Sequence, residues 1–295
     1  MFKSGFVGII GKPNVGKSTL LNCIIGEKVA ITSHKRQTTR NRIMGIYNSD
    51  EGQIVFIDTP GIHRATSPLN RCMVSAAVST FGDVDIILFL VDANDSFGAE
   101  DTLIVESLAT ATVPVILVIN KIDLIEKERL LPFIDDLRRR HAFEDIVPVS
   151  ALGGRNVDIV MTAIWKLLPE GPRYFPDDMY TDSSERFITA EIIREKVMLL
   201  THQEIPYSTA VVVESFKEDE RTNLIRIGAV INVEKNSQKG IIIGKRGSML
   251  KEIGKQSRLE MERFFGTRIY LELFVKVSKD WTRNERKLKE FGYTS

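Results

Sequence analysis

Gly11, Lys12, Pro13, Asn14, Val15, Gly16, Lys17 and Ser18 run consecutively as GKPNVGKS, directly after a short apolar stretch. In that spacing the glycines let backbone N–H groups curl round a chain of phosphates. The lysine reaches the β- and γ-phosphates, and the following hydroxyl is a ligand for Mg2+. Three further clusters follow in order. Asp58, Thr59, Pro60 and Gly61 (DTPG) end a second apolar run, which places a carboxylate to hold Mg2+ through water and a glycine N–H to sense a γ-phosphate. Asn120, Lys121 and Asp123 (NKID) end a third. There the Asp123 carboxylate matches the N1–H and exocyclic amine of guanine, Asn120 suits N7, and Lys121 can lie across the ring. Ser150, Ala151 and Leu152 offer the Ala151 N–H to guanine O6. Adenine lacks the donor pair that Asp123 reads, so an ATPase is disfavoured.

The residues around the γ-phosphate suggest slow hydrolysis. A glutamine after the DxxG glycine orients water in many nucleotide hydrolases, whereas here that position is Ile62. His63 reads as a solvated loop residue rather than a base. In HKRQTTRNR (34–42), Thr39 is favoured over Thr38 to close on Mg2+ and the γ-phosphate, because it directly precedes Arg40. Arg36, Arg40 and Arg42 read as solvated or effector-facing rather than as an internal arginine finger. Lys17, Thr39 and Gly61 are thus the expected catalytic residues, and Ser18, Thr39 and Asp58 the expected Mg2+ set.

A second glycine–lysine loop, Gly244-Lys245-Arg246-Gly247, follows a short helical stretch instead of a strand and has no hydroxyl after its lysine. Helix–GxxG–helix brings backbone close to a nucleic-acid strand, with Lys245, Arg246 and, one turn on, Lys251 supplying charge. Ile243 beside the loop, with Ile241, Ile242, Leu250 and Ile253, is expected to floor a site for unstacked bases. The chain as a whole carries a formal charge of +1, but residues 235–295 hold 15 Lys and Arg against 7 Asp and Glu. That local excess favours a polyanionic partner, single-stranded RNA.

Positioning these groups requires an α/β sheet. Apolar runs at 4–10, 86–92, 114–120 and 145–150 alternate with helical stretches, the pattern of a doubly wound, mostly parallel sheet. Residues 42–61 break the alternation and read as a hairpin inserted into it. The Pro-rich acidic stretch 171–184 reads as a linker between a nucleotide domain, 1–170, and a smaller α+β domain, 185–295, of order helix–strand–strand–helix–GxxG–helix–strand. Cys23 and Cys72 lack metal-ligand spacing and read as inert thiols. No leader pattern opens the sequence, so a cytoplasmic location is expected. Trp281, Phe291 and Tyr293 in the basic tail suggest an RNA-facing helix or a membrane-surface contact.

GKPNVGKSTLLN, QTTR (37–40), DTPGIH, NKID, the Pro-rich stretch and the GKRG loop together resemble the Era-like family of P-loop GTPases, over nearly the whole length. The second domain resembles a type II KH domain. The resemblance implies a GTP-hydrolysing switch with Mg2+ and a K+ ion that Asn14 helps to hold at the phosphates, making Asn14 a further catalytic residue. It also implies binding to small-subunit ribosomal RNA near its 3′ end, a role in maturing the small ribosomal subunit, and some peripheral contact with the inner membrane. The protein is expected to be a monomer. The rival reading is a signalling GTPase whose C-terminal domain binds protein or membrane.

Overall fold

The computed structural model describes residues 1–219 and 221–293. They divide into two compact units, the first made of Met1–Thr66 and Asn70–Asp182 and the second of Ser67–Leu69 and the residues from Ser183 on. The first holds a six-stranded sheet of β1 (Lys3–Gly11), β2 (Ile43–Asn48), β3 (Gly52–Asp58), β4 (Ile86–Asp92), β5 (Val115–Asn120) and β6 (Asp145–Pro148), in the order β2-β3-β1-β4-β5-β6. Every pair is parallel except β2 with β3. Strands β3 and β5 are buried along their whole length, as helices on both faces of a parallel sheet demand. The expected hairpin is β2–β3, and it extends the sheet edge, with β3 lying on β1.

Register explains why the motifs converge. Ile9 pairs with Asp58, Gly11 with Leu90, and Asp92 with Asn120, so the motif loops all leave the carboxyl ends of neighbouring strands. Ligands bind in that crevice of open α/β sheets. Helices α1 (Lys17–Ile25), α2 (Pro68–Ser79), α3 (Ala99–Leu108), α4 (Lys127–Arg138) and α5 (Val157–Leu167) complete the unit.

The stretch expected as a linker is hydrogen-bonded to the first unit as far as Thr181. Gln53, fully buried on β3, accepts from the N–H groups of Tyr174 and Phe175 and donates to the Phe175 carbonyl. On the edge strand, the Ile46 N–H donates to the Tyr180 carbonyl at 2.9 Å, and Thr181 Oγ1 donates to Met44. The open edge of β2 and a buried amide both need partners, and this segment supplies them.

The second unit runs α6 (Glu185–Leu200), β7 (Ala210–Asp219), β8 (Leu224–Val233), α7 (Asn236–Ile243), the GKRG turn, α8 (Ser248–Phe265), β9 (Arg268–Val277) and a short α9 (Glu285–Glu290). Its sheet order is β7-β8-β9, antiparallel then parallel. Ile192, Ile193, Val197, Ile242, Ile253 and Met261 pack in its core. Helix α6 is less simply amphipathic than its apolar spacing suggests. Arg194 is buried and paired with Glu191 at 2.7 and 2.5 Å, and Lys196 joins Glu195 to Glu260 of α8.

Candidate functional site

The first glycine loop turns from β1 into α1 with Gly11 at φ +156°, Asn14 at +68° and Gly16 at +99°. A Cβ at Gly16 would lie 2.2 Å from Asn120 Nδ2, so glycine is required where the two loops meet. Lys17 donates to the carbonyls of Gly11 (3.2 Å) and Lys12 (3.0 Å), and burial lowers its pKa to about 8 against the opposing pull of Asp58. Pro13, Asn14, Gly16, Lys17, Ser18 and Thr39 line one end of a cavity of about 410 Å3, and Lys121, Asp123, Leu124 and Leu152 line the other. The polar end suits phosphates, and the end where Asp123 meets two leucines suits a flat base.

Ser18 Oγ donates to Asp58 Oδ2 at 2.6 Å, Thr39 Oγ1 reaches the same oxygen at 3.1 Å, and the two hydroxyls are 2.8 Å apart. Thr38 instead donates to the Lys35 carbonyl. Asp58 is buried, its Oδ1 has no partner, and burial pushes its pKa up against the charge of Lys17. Two hydroxyls and an under-satisfied buried carboxylate are hard oxygen donors, a set that fits Mg2+ completed by phosphate oxygens.

Several expected contacts are redirected. Lys12 points away from the cavity to Asp95 and Asp101, because its side chain leaves the loop on the outer face. Asn120 donates one amide N–H to the Val15 carbonyl at 2.8 Å, which leaves its second N–H for the guanine N7 expected of it, and its Oδ1 accepts the Ala151 N–H at 2.9 Å, the N–H expected on O6. Lys121, in a left-handed conformation, donates to the Asn14 carbonyl at 2.8 Å and pairs with Asp92. Val15, Thr59 and Ser150 are buried, Thr59 Oγ1 donating to the Ile9 carbonyl and Ser150 Oγ accepting from Gly153 N–H. Asp123 is exposed at the rim.

Gly61 lies against the phosphate loop, and Pro60 before it is buried. A Cβ at Gly61 would come within 2.6 Å of Pro13 N, and the Ile62 N–H donates to the Gly11 carbonyl at 3.1 Å. Ile62 is buried in the core cluster and so cannot orient water. His63 is not solvated as expected: Nδ1 lies 2.8 Å from the Gly61 carbonyl and Nε2 is buried. None of Arg36, Arg40 and Arg42 lines the cavity; Arg40 is buried and Arg42 pairs with Asp83. Asn14 donates from Nδ2 to the His34 carbonyl, tying the phosphate loop to the segment that carries Thr39.

In the second unit, Gly244, Arg246 and Gly247 all have positive φ, and the loop leaves Lys245 and Arg246 exposed. Leu250, Lys251, Gly254, Lys255, Leu271 and Leu273 border an open groove of about 560 Å3 running from Gly247 along α8. The expected apolar floor needs correction. Ile242 and Ile253 face the core, Ile241 is half exposed and Ile243 partly buried, and the groove floor comes from α8 and β9 instead. Lys255 and Arg258 were missed by motif reading, although their spacing from Lys251 (i+4, i+7) puts all three on one helix face. The tail aromatics are packed away: Trp281 is fully buried, stacks with Tyr293 at 5.7 Å, meets Phe291 edge-on and donates Nε1–H to the Ser208 carbonyl.

Sheet order, phosphate loop, base-reading loop and the helix–GxxG–helix unit define a P-loop GTPase carrying a C-terminal KH domain. Residues 6–121 match the family described as 50S ribosome-binding GTPase, and residues 204–282 match the KH domain. GTPase Era of Syntrophus aciditrophicus is 64% identical over 99% of this chain and 96% of its own length, and that of Geobacter metallireducens 58% over 99% and 98%. A tyrosine-to-alanine variant of Aquifex aeolicus Era bound to GDP·AlF4− superposes with a TM-score of 0.96 at 45% identity over all of both chains. An Era structure with MgGDPNP and nucleotides 1506–1542 of 16S ribosomal RNA superposes at 0.97 and 45%, also over all of both chains. The chain belongs to the Era family of GTPases.

Proposed function

We propose that the KH unit binds single-stranded RNA at the 3′ end of small-subunit ribosomal RNA, and that GTP binding and hydrolysis time its release during maturation of the small subunit. The observation that carries this reading is the GKRG turn opening onto a groove whose rim is Lys251, Lys255 and Arg258 and whose floor is apolar. Cations track a phosphate backbone while an apolar floor accepts unstacked bases. The full-length match to an Era that holds 16S rRNA supports the choice of RNA.

In the first unit Ser18, Thr39 and Asp58 would hold Mg2+, which neutralises charge on the β- and γ-phosphates when bound. Lys17 holds the phosphates, Gly61 offers its N–H at the γ-phosphate, and Ile62 excludes a water-orienting side chain. Intrinsic turnover is therefore slow, on the order of 10⁻⁴–10⁻² s⁻¹ as in unassisted GTPases. Asn14 contributes to a K+ site at the phosphates. Replacing Na+ by K+ accelerates hydrolysis in wild type and not in Asn14→Ala; equal acceleration in both removes the assignment.

The protein acts as a monomer in the cytoplasm. Any contact with the inner membrane face would draw on the basic surface rather than on Trp281 or Tyr293, which are buried; among the described residues, no helix is long and apolar enough to cross a membrane. Crosslinking in cells followed by sequencing of the bound RNA tests the reading. Reads at the 3′ end of small-subunit rRNA are expected, whereas recovery of protein partners without RNA favours the signalling alternative.

A further inference from the structure

The connection from β4 into α3, Asp92 to Asp101, carries none of the nucleotide motifs yet receives two of their lysines. Lys12 Nζ lies 3.0 Å from Asp101 Oδ2 and 2.9 Å from Asp95 Oδ2, and Lys121 Nζ lies 2.6 Å from Asp92 Oδ2. Asp101 is only 1% exposed. Its Oδ2 also accepts the Gly98 N–H at 2.9 Å, while Oδ1 is buried without a partner. A buried carboxylate in that position depends on its cation, because an uncompensated charge there is strongly unfavourable. Burial by itself would lower the Lys12 pKa, but the hydrogen bonds and charges of Asp95 and Asp101 outweigh it and raise it.

The main chain of Lys12 faces the other way. Its carbonyl accepts from Lys17 Nζ at 3.0 Å, and the next residue, Pro13, is the surface on which Gly61 rests. One side chain therefore anchors the turn that sets both the phosphate-binding ammonium and the γ-phosphate-sensing glycine. Residues at the start of this loop are ordinarily read as phosphate contacts, but here the ammonium is committed to the outer wall.

We propose that Lys12, gripped by Asp101 with Asp95 at the rim, is a positioning residue for nucleotide retention: it touches no phosphate and holds the loop in its binding shape from behind. The proposal deepens the GTPase reading and rests on it.

The test uses the full chain with Mg2+, following release of a fluorescent GDP by stopped flow and steady-state GTP hydrolysis. Lys12→Met should release GDP about 10-fold faster and raise KM in proportion, with kcat within about threefold, since uniform binding is what is lost. Lys12→Arg, which keeps the pair, should stay within about threefold of wild type. Asp101→Asn combined with Lys12→Met should be no worse than Lys12→Met alone, because the two act as a unit. Asp136→Asn, in the exposed pair with Arg140 on α4, serves as a charge-removal control and should match wild type. If Lys12→Met does not fold, Lys12→Gln with Asp101→Asn leaves no buried charge and carries the same readout. A lowered melting temperature with GDP release unchanged, or additive effects in the double variant, overturns the proposal. Failure of wild type itself to bind GDP would instead strike the GTPase reading.

Discussion

Asn120 Nδ2 donates to the carbonyl oxygen of Val15 at 2.8 Å, joining the base-reading loop to the phosphate loop across 105 residues of sequence. Its Oδ1 takes the Ala151 N–H, so one side chain ties three loops together. Asn120→Ala leaves a buried carbonyl and a buried N–H without partners, each costing about 1–3 kcal/mol. A lower urea midpoint and weakened GDP binding are expected together. Loss of stability with full GDP affinity would show that the loops hold their places without this link.

Lys17 gives a pH signature. Its folded pKa of about 8 lies below the ordinary 10.5, so the unfolded chain binds more protons between those values. Stability of the nucleotide-free protein should therefore rise with pH across that window through this group. Phosphates favour the charged form, so GDP affinity should fall above about pH 8, by up to about tenfold per pH unit, with uptake of up to one proton. Calorimetry in buffers of different ionisation enthalpy measures the uptake, and Lys17→Met should abolish it.

Asp123 stands exposed at the rim beside Leu124 and Leu152. Replacing its carboxylate by an amide exchanges an acceptor for a donor, which no longer matches guanine but does match the carbonyl of xanthine. Asp123→Asn should lose about 10²-fold or more in GDP affinity and gain affinity for XDP. Unchanged competition by the two nucleotides would remove Asp123 from base recognition.

The two glycines of GKRG should respond differently. A Cβ at Gly244 would lie 2.7 Å from Met249 Cβ, whereas Gly247 has open space around it. Gly247 sits in the left-handed α region, which costs a side chain about 1–2 kcal/mol, and Gly244, at φ 73° and ψ 174°, in a region essentially restricted to glycine. Gly244→Ala should thus lower the melting temperature of the second unit further than Gly247→Ala does. Equal melting shifts would mean that Met249 yields.

Motif spacing located the loops correctly because phosphate and base chemistry dictate both residue type and order. Spacing does not report direction, which is why it places Lys12 in the nucleotide loop without showing that its side chain lies on Asp101, and names Asn120 for the base without showing that it also ties three loops together. Apolar runs mark elements but not faces at their ends: in Ile241–Ile243 the middle residue enters the core and its neighbours do not. Composition makes 171–184 a linker, since Pro and Asp leave it without regular structure. It is held to β2 and β3 by hydrogen bonds whose partners lie more than a hundred residues away. The tail aromatics misled for the same reason, as Trp281 finds its burial against residues brought there by the fold.

The most direct measurement is anisotropy of a labelled single-stranded RNA ending in the small-subunit 3′ sequence, titrated with the full chain from low to moderate salt. Wild type should bind with a steep salt dependence. Lys251→Gln with Lys255→Gln should weaken binding and reduce the slope of log affinity against log salt by about 1.4, two phosphate contacts' worth on a single strand. Gly247→Asp, which sets a carboxylate on the loop, should abolish binding while GTP hydrolysis continues. Salt-independent binding, or undiminished affinity in all these variants with hydrolysis intact, would contradict the account of a GTPase that grips RNA through this groove.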